Sequence, residues 1–321
     1  ENLLAENLIN PIGLDIKHPH FTWQLASEPR NVLQTAYEIN VFPSEKNKDI
    51  VWESGKISSG QSVMVTYSGK SLQSAQRYYW QVRVWDNNGN LSPWSEPAFF
   101  QTGFFNTDDW KAKWISPGYT EDSVLRQSPL FRKQFVTKKK IKSATAFITA
   151  HGLYEAMING HRVGDAYLTP GWTSYNKRLE YQVYDVSNLL NAGNNVIGVT
   201  LGSGWYRGHL AWGENKNIYG KDISLLLQLE ITYTDGKKET VISDGSWKST
   251  TSSIISSEIY DGEIIDDRAE KTGWLLPSYD DSKWSGVTVG DLSYDNLIAT
   301  YNEPIRKHET FKPVNIFTTP K

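Results

Sequence analysis

The chain has 321 residues, with 36 acidic against 33 basic side chains, a net charge of −3 and no cysteine. The missing cysteines remove disulfides, thiolate metal sites and a thiol nucleophile together. The slight acidity, with no basic run beyond Lys138 to Lys140, argues against a nucleic-acid partner. No segment approaches the ~20 apolar residues that span a bilayer; the best run, Leu225 to Ile231, is interrupted by Gln228 and Glu230.

The first third reads as short strands separated by turn residues. Strands are expected at Phe21 to Leu25 and Tyr37 to Phe42. In Tyr78 to Trp85, Tyr78, Trp80, Val82 and Val84 share one face, while Tyr79, Gln81, Arg83 and Trp85 share the other. Asp86-Asn87-Asn88-Gly89-Asn90 then supplies a hairpin loop. No amphipathic helix is expected here, and residues 1–107 read as a small β-sandwich.

The pattern breaks at Asn106-Thr107-Asp108-Asp109, where a boundary is placed. Phe131 to Val136 and Ala144 to Thr149 alternate, and Asn159-Gly160 is a strong hairpin signal. Asp185 to Gly193 offers one or two helical turns, with Asp185 or Ser187 as the start cap. Val196 to Leu201 and Leu225 to Tyr233 resume as strands, and Thr240 to Ile242 returns from a turn at Asp235-Gly236. Residues 108–289 thus read as a second sandwich of jelly-roll size. Residues 290–321 lose periodicity and read as a connector to a further domain.

Several stretches carry a family resemblance. They are Asn159-Gly160-His161-Arg162-Val163-Gly164-Asp165, Pro170-Gly171-Trp172-Thr173-Ser174-Tyr175, Gly202-Ser203-Gly204-Trp205-Tyr206-Arg207-Gly208 and Ile259-Tyr260-Asp261-Gly262-Glu263. In this order the chain resembles the modules that precede the catalytic barrel of bacterial α-L-rhamnosidases. The first third is similar to their leading fibronectin-III-like (Ig-like) module, through Gln34-Thr35-Ala36-Tyr37 and Tyr79 to Asp86.

The resemblance implies an all-β chain of two β-sandwich domains, fibronectin-III-like and then jelly-roll. The catalytic acids of the family lie in a later (α/α)6 barrel, marked by an R-D-E-R-like run that this sequence lacks, so the chain is expected to be catalytically silent and to aid glycan recognition, with purely architectural packing on the barrel and no sugar site as the alternative. The implied partners are a rhamnose-containing glycan and the protein's own barrel, and the implied location is periplasmic or secreted, with a cytoplasmic one as the alternative. Two positions depart from many relatives: Ser203 replaces an Asp, and Asp267 replaces an Ala. No cofactor is expected. Some related modules hold L-rhamnose through calcium, but Lys177 and Arg178 in the corresponding loop repel a cation, which leaves calcium a minor alternative.

Sugars present an apolar C–H face and a hydroxyl rim, so aromatic plates beside Arg and carboxylates suit them. Trp205, Tyr206 and Arg207 lie between Gly204 and Gly208, whose missing side chains would let backbone approach a ligand. The competing reading has Trp205 plugging the sandwich and Arg207 paired with an acid. Trp172, Tyr175 and Arg178 form a second group with Tyr181, and Trp172 is either a lid over the core or an open platform. Trp212, with Glu214 and Asn217, sits in the long loop Gly208 to Gly220. Asp261, Glu263, Asp266 and Asp267 form an acidic group beside Tyr260, with Arg268 as an internal ion partner. Its carboxylates lack the convergent spacing of a glycosidase pair. The six histidines show no metal-ligand spacing and read as surface-loop residues.

Overall fold

A computed structural model of the protein describes residues 1–44, 49–213, 215–300 and 302–319. Glu214, Pro320 and Lys321, which enter the expectations above, lie outside the described residues. The chain is all-β, with only single helical turns between its strands.

In the first unit, Arg77–Asp86 pairs antiparallel with Gln34–Phe42 on one side and Ala98–Thr102 on the other, while Ile12–Leu14 joins the latter in parallel. A three-stranded sheet containing His20–Thr22 faces this one. The alternation along Arg77–Asp86 holds: Tyr78, Trp80 and Val82 are buried, and Trp80 stacks on Phe21 at 4.4 Å. On the opposite face Arg83 sits directly across from Glu38 and pairs with it at 2.6 Å. The Asp86 carboxylate accepts from the backbone N–H of Asn88 and Asn90, both at 2.8 Å, which closes the hairpin loop.

The second unit sets a five-stranded sheet against a seven-stranded one. Pro129–Thr137, Leu153–Ile158 and Gly193–Gly202 build the first. Ile141–His151, Leu179–Asp185 and Ser224–Tyr233 build the middle of the second. Asn159 and Gly160 both adopt positive φ, as a two-residue hairpin turn requires. The expected helix shrinks to a 3-10 turn, Ser187–Leu189, because the chain reverses there to feed the strand that begins at Gly193. Asp185 still accepts from the Ser187 N–H at 3.1 Å.

The apolar run at 225–231 is continuous because its strand is buried on both faces. Leu225, Leu227, Leu229 and Ile231 fill the core between the sheets. Leu226 points the other way, into a cluster with Phe104, Trp110, Phe147 and Tyr181. Gln228, which interrupts the run in sequence, accepts from the N–H of Lys111 at 2.6 Å and of Ala112 at 3.1 Å, and so pins the chain that arrives from the first unit.

The segment expected only as a connector does more. Leu297–Ala299 pairs in parallel with Leu179–Asp185, Ile305–Arg306 pairs with Ala166–Tyr167, and Ala299 is buried in the second cluster. Periodicity misses these strands because each is two or three residues long, with Ala299 buried and Leu297 partly buried against the second cluster.

Arg132, fully buried, clamps residues 274–281 onto the five-stranded sheet. Its Nε donates to the Trp274 carbonyl at 2.7 Å, its Nη2 donates to the Leu276 carbonyl at 2.9 Å, and its Nη1 pairs with Asp281. Arg132→Met leaves Asp281 and two carbonyls without that partner, and a loss of about 3–5 kcal/mol is expected in urea unfolding. The exposed Arg306→Met is expected to cost at most about 1 kcal/mol. Equal, small losses in both would show that the clamp does not hold the segment.

Candidate functional site

The sequence Gly204-Trp205-Tyr206-Arg207 forms a single helical turn that half-buries Trp205 and Tyr206 against the core and turns Arg207 inward. Its glycines make room for protein rather than for a ligand. A Cβ at Gly204 would lie 2.5 Å from Leu153, and one at Gly208 would lie 2.5 Å from the Glu258 carboxylate. Arg207 is 1% exposed and pairs with Glu121 at 2.8 Å, while its Nε donates to Ser203 Oγ at 3.2 Å. Arg207 is therefore a structural ion partner and is corrected from the list of sugar contacts. Ser203, the departure from many relatives, is the acceptor for that buried guanidinium.

Around this turn the rings form a continuous column from core to surface. Trp114 stacks on His151 at 4.4 Å, and His151 stacks on Tyr206 at 4.7 Å. Tyr175 meets both Tyr206 and Tyr219 edge-on, at 5.4 and 4.9 Å. At the outer end Trp172 lies parallel to Trp205 at 5.9 Å and donates its indole N–H to the Tyr219 hydroxyl at 3.2 Å. Trp172 is 52% exposed, whereas Tyr175 is 2% exposed and donates its hydroxyl to the Gly171 carbonyl. Tyr175 is thus an interior residue and is corrected likewise. Burial pushes its phenol well above the usual range. Arg178 stands exposed on the same loop.

A second group gathers about His209. Its N–H donates to Glu258 at 2.7 Å, its Nδ1 faces the Asp261 carboxylate at 3.2 Å, and its Nε2 faces the Gly213 carbonyl at 2.5 Å. These contacts tie the 208–220 loop to the hairpin Ile254–Glu258 and Gly262–Ile265, and the Tyr260 ring lies 6.4 Å from the imidazole. From a third segment Arg126 donates to Asn217 Oδ1 at 2.8 Å. Trp212, 92% exposed, caps this convergence, with Tyr260, Ile218, Ile264, Ile265 and Val124 also exposed. Glu263 lies exposed on the hairpin. Arg268 does serve as an ion partner within the acidic group, where Asp266 takes it at 2.7 Å.

The structure therefore brings Trp172, Trp205, Tyr206 and Tyr175 together and gathers Trp212, Tyr260 and Asp261 separately. Residues that sequence reasoning missed are Tyr219, His151, His209, Glu258 and Glu121. His151 departs from the surface-loop reading because it ends the strand Ile141–His151 and packs between two rings, whereas His209 does lie on a loop, where Glu258 and Asp261 hold it. Nothing local marks either one. Among the described residues no three His, Asp or Glu side chains converge in a way that could hold a metal.

Burial between two rings drives the His151 pKa down from 6.5 to about 4. Between those values the unfolded chain binds a proton that the folded chain does not, so stability falls as pH drops through that window. At about 1.4 kcal/mol per unit, lowering the pH from about 7 to 4.5 costs on the order of 2 kcal/mol from this group. His151→Phe keeps the ring stack and should remove that part of the loss in urea unfolding at the two pH values. An identical pH dependence in both proteins would mean that the imidazole titrates normally.

Comparison with known proteins places this geometry in a family. The Rha78A-like N-terminal immunoglobulin domain matches residues 1–106, and the Alpha-L-rhamnosidase N-terminal domain matches residues 139–309. An alpha-L-rhamnosidase of Formosa agariphila is 38% identical over 96% of this chain and 34% of its own length. The crystal structure of the alpha-L-rhamnosidase from Aspergillus terreus superposes with a TM-score of 0.88 at 37% identity, covering 95% of this chain and 36% of that one. That of the Dictyoglumus thermophilum enzyme gives 0.87 at 38% identity, covering 95% and 35%. This chain spans about a third of the length of these relatives. With its matched segment running from residue 139 to residue 309, the chain belongs to the alpha-L-rhamnosidase N-terminal domain family, preceded by an immunoglobulin-like domain.

Proposed function

We propose that this chain is the non-catalytic front of an α-L-rhamnosidase, an enzyme releasing terminal α-L-rhamnose from glycans, and that its exposed loops pack on the catalytic barrel. The observation that carries this reading is the surface where three loops converge. Trp212, Tyr260 and Ile264 stand exposed on these loops, while His209 bonds to Glu258 and Asp261 and ties the loops to one another. An ordered, uncovered apolar surface of this kind marks an interaction site. Phe311, Val314, Ile316 and Phe317 extend the same character along the C-terminal segment, which carries no core of its own.

The aromatic column supports packing better than sugar capture. Its inner rings are interior, and Arg207, the cation that would have served a sugar hydroxyl, is only 1% exposed. Trp172 and Trp205 then offer the barrel a flat edge beside the convergent loops. A periplasmic or secreted location accompanies this reading and is checked by cell fractionation.

A longer protein carrying the remaining two thirds is expected to hydrolyse an aryl α-L-rhamnoside, and this chain alone is expected to leave it intact. Placing Trp212→Ser and Ile264→Ser together in the longer protein should lower its melting temperature by several degrees and reduce its activity, while the isolated chain carrying the same changes melts as before. A folded but inert longer protein would refute the assignment of activity, and an unchanged longer variant would move the interface elsewhere.

A further inference from the structure

The two units enclose a cleft of about 290 Å3, lined by the first unit at residues 8–9 and 11–13 and by the second at residues 165–166, 181–184, 300, 302–304 and 306. We propose that this cleft binds a single neutral pyranose ring. The proposal concerns other residues than the convergent loops and holds whether or not those loops meet a barrel.

The walls differ in chemistry. Ile12 from the first unit, with Val183 and Tyr184 from the second, gives an apolar floor suited to the C–H face of a sugar. The rim is polar and held in place. Ile305–Arg306 pairs as a strand with Ala166–Tyr167, and Arg306 then donates from Nε to Asp165 at 2.9 Å and from Nη1 to Glu303 at 2.9 Å. Among the described residues, the Arg306 Nη2 and the second oxygen of each carboxylate have no partner. That arrangement sets acceptors on both sides of a planar donor, which matches neighbouring hydroxyls that both give and take hydrogen bonds. Asn302, whose amide donates to the buried Glu180 at 3.0 Å, presents a further amide oxygen to the rim.

Size and charge narrow the class. The volume lies at the lower edge of the ~300–1,000 Å3 usual for small-molecule clefts, room for one ring rather than a chain. The two carboxylates on the rim outnumber the one guanidinium and so oppose an anion. The alternation of donor and acceptors over an apolar floor then favours a polyhydroxylated ring over a simple cation.

The test titrates the 321-residue chain with L-rhamnose, D-galactose and D-glucose by calorimetry, alongside Arg306→Met, Asp165→Asn, Trp172→Ala and Trp212→Ala. At least one of the sugars is expected to bind with a millimolar or tighter dissociation constant, worth about 4 kcal/mol or more. Arg306→Met and Asp165→Asn should weaken it at least tenfold, with melting temperatures within about two degrees of the parent, as the exposure of both side chains allows. The two tryptophan variants should bind within twofold of the parent. The proposal is overturned if the folded chain binds none of the three sugars, or if affinity is lost in a tryptophan variant and kept in Arg306→Met. Neither result bears on whether the longer protein cleaves a rhamnoside, so the two readings fail separately.

Discussion

The strand Ser224–Tyr233 is buried on both faces, and most of this molecule follows from that. A sheet with one apolar face needs a single covering layer, whereas a central strand that turns Leu227 and Leu229 one way and Leu226 the other needs two. The five-stranded sheet supplies the first. The second is assembled from pieces: the 104–114 link between the units, the loop carrying Tyr175 and the strand Leu297–Ala299. Because those pieces come from distant parts of the chain, covering this one face joins the immunoglobulin-like unit to the sandwich and raises the aromatic column at its edge.

Burying polar groups in so composite a structure costs free energy unless each is partnered. Arg132 and Arg207 meet that requirement in the same way, by spending their guanidinium donors on carbonyls and one carboxylate from segments far apart in sequence. Asp15 does so at the junction, where it accepts from the Ala299 N–H at 2.8 Å although burial raises its pKa. The Tyr181 hydroxyl likewise accepts from the Phe104 N–H at 2.9 Å. Rigid placement of the second unit's loops relative to the first is a consequence of these bonds, and the interunit cleft has fixed walls for the same reason.

Recognition and support are divided accordingly. Large apolar side chains project where three loops converge, a distribution that suits a broad protein surface more than a small ligand. The cleft between the units has the reverse character, small and mixed, with a guanidinium between two carboxylates at its rim. On the two proposals made above, one side of this chain is structural and another selective, with no residue serving both.

Much of the fold was legible in the sequence. Alternation at Tyr78 to Trp85, the Asn159-Gly160 turn and the long run at 225–231 are local signals, and strand periodicity and turn chemistry act between neighbours in the chain. The aromatic and charged residues near Trp172, Trp205 and Tyr260 were likewise visible as unusual stretches. What could not be read was the direction of each side chain. Gln228 looks like an interruption until it meets Lys111 and Ala112, and Arg207 looks like a ligand contact until Glu121 arrives from 86 residues away. His151 carries no mark of the two rings that close on it. Sequence by itself determined where the longer strands and the hairpin turns lie, because those depend on a few adjacent residues. Only tertiary structure decided which polar and aromatic groups are consumed by packing and which remain free for a partner, because that depends on segments brought together by burying both faces of one strand.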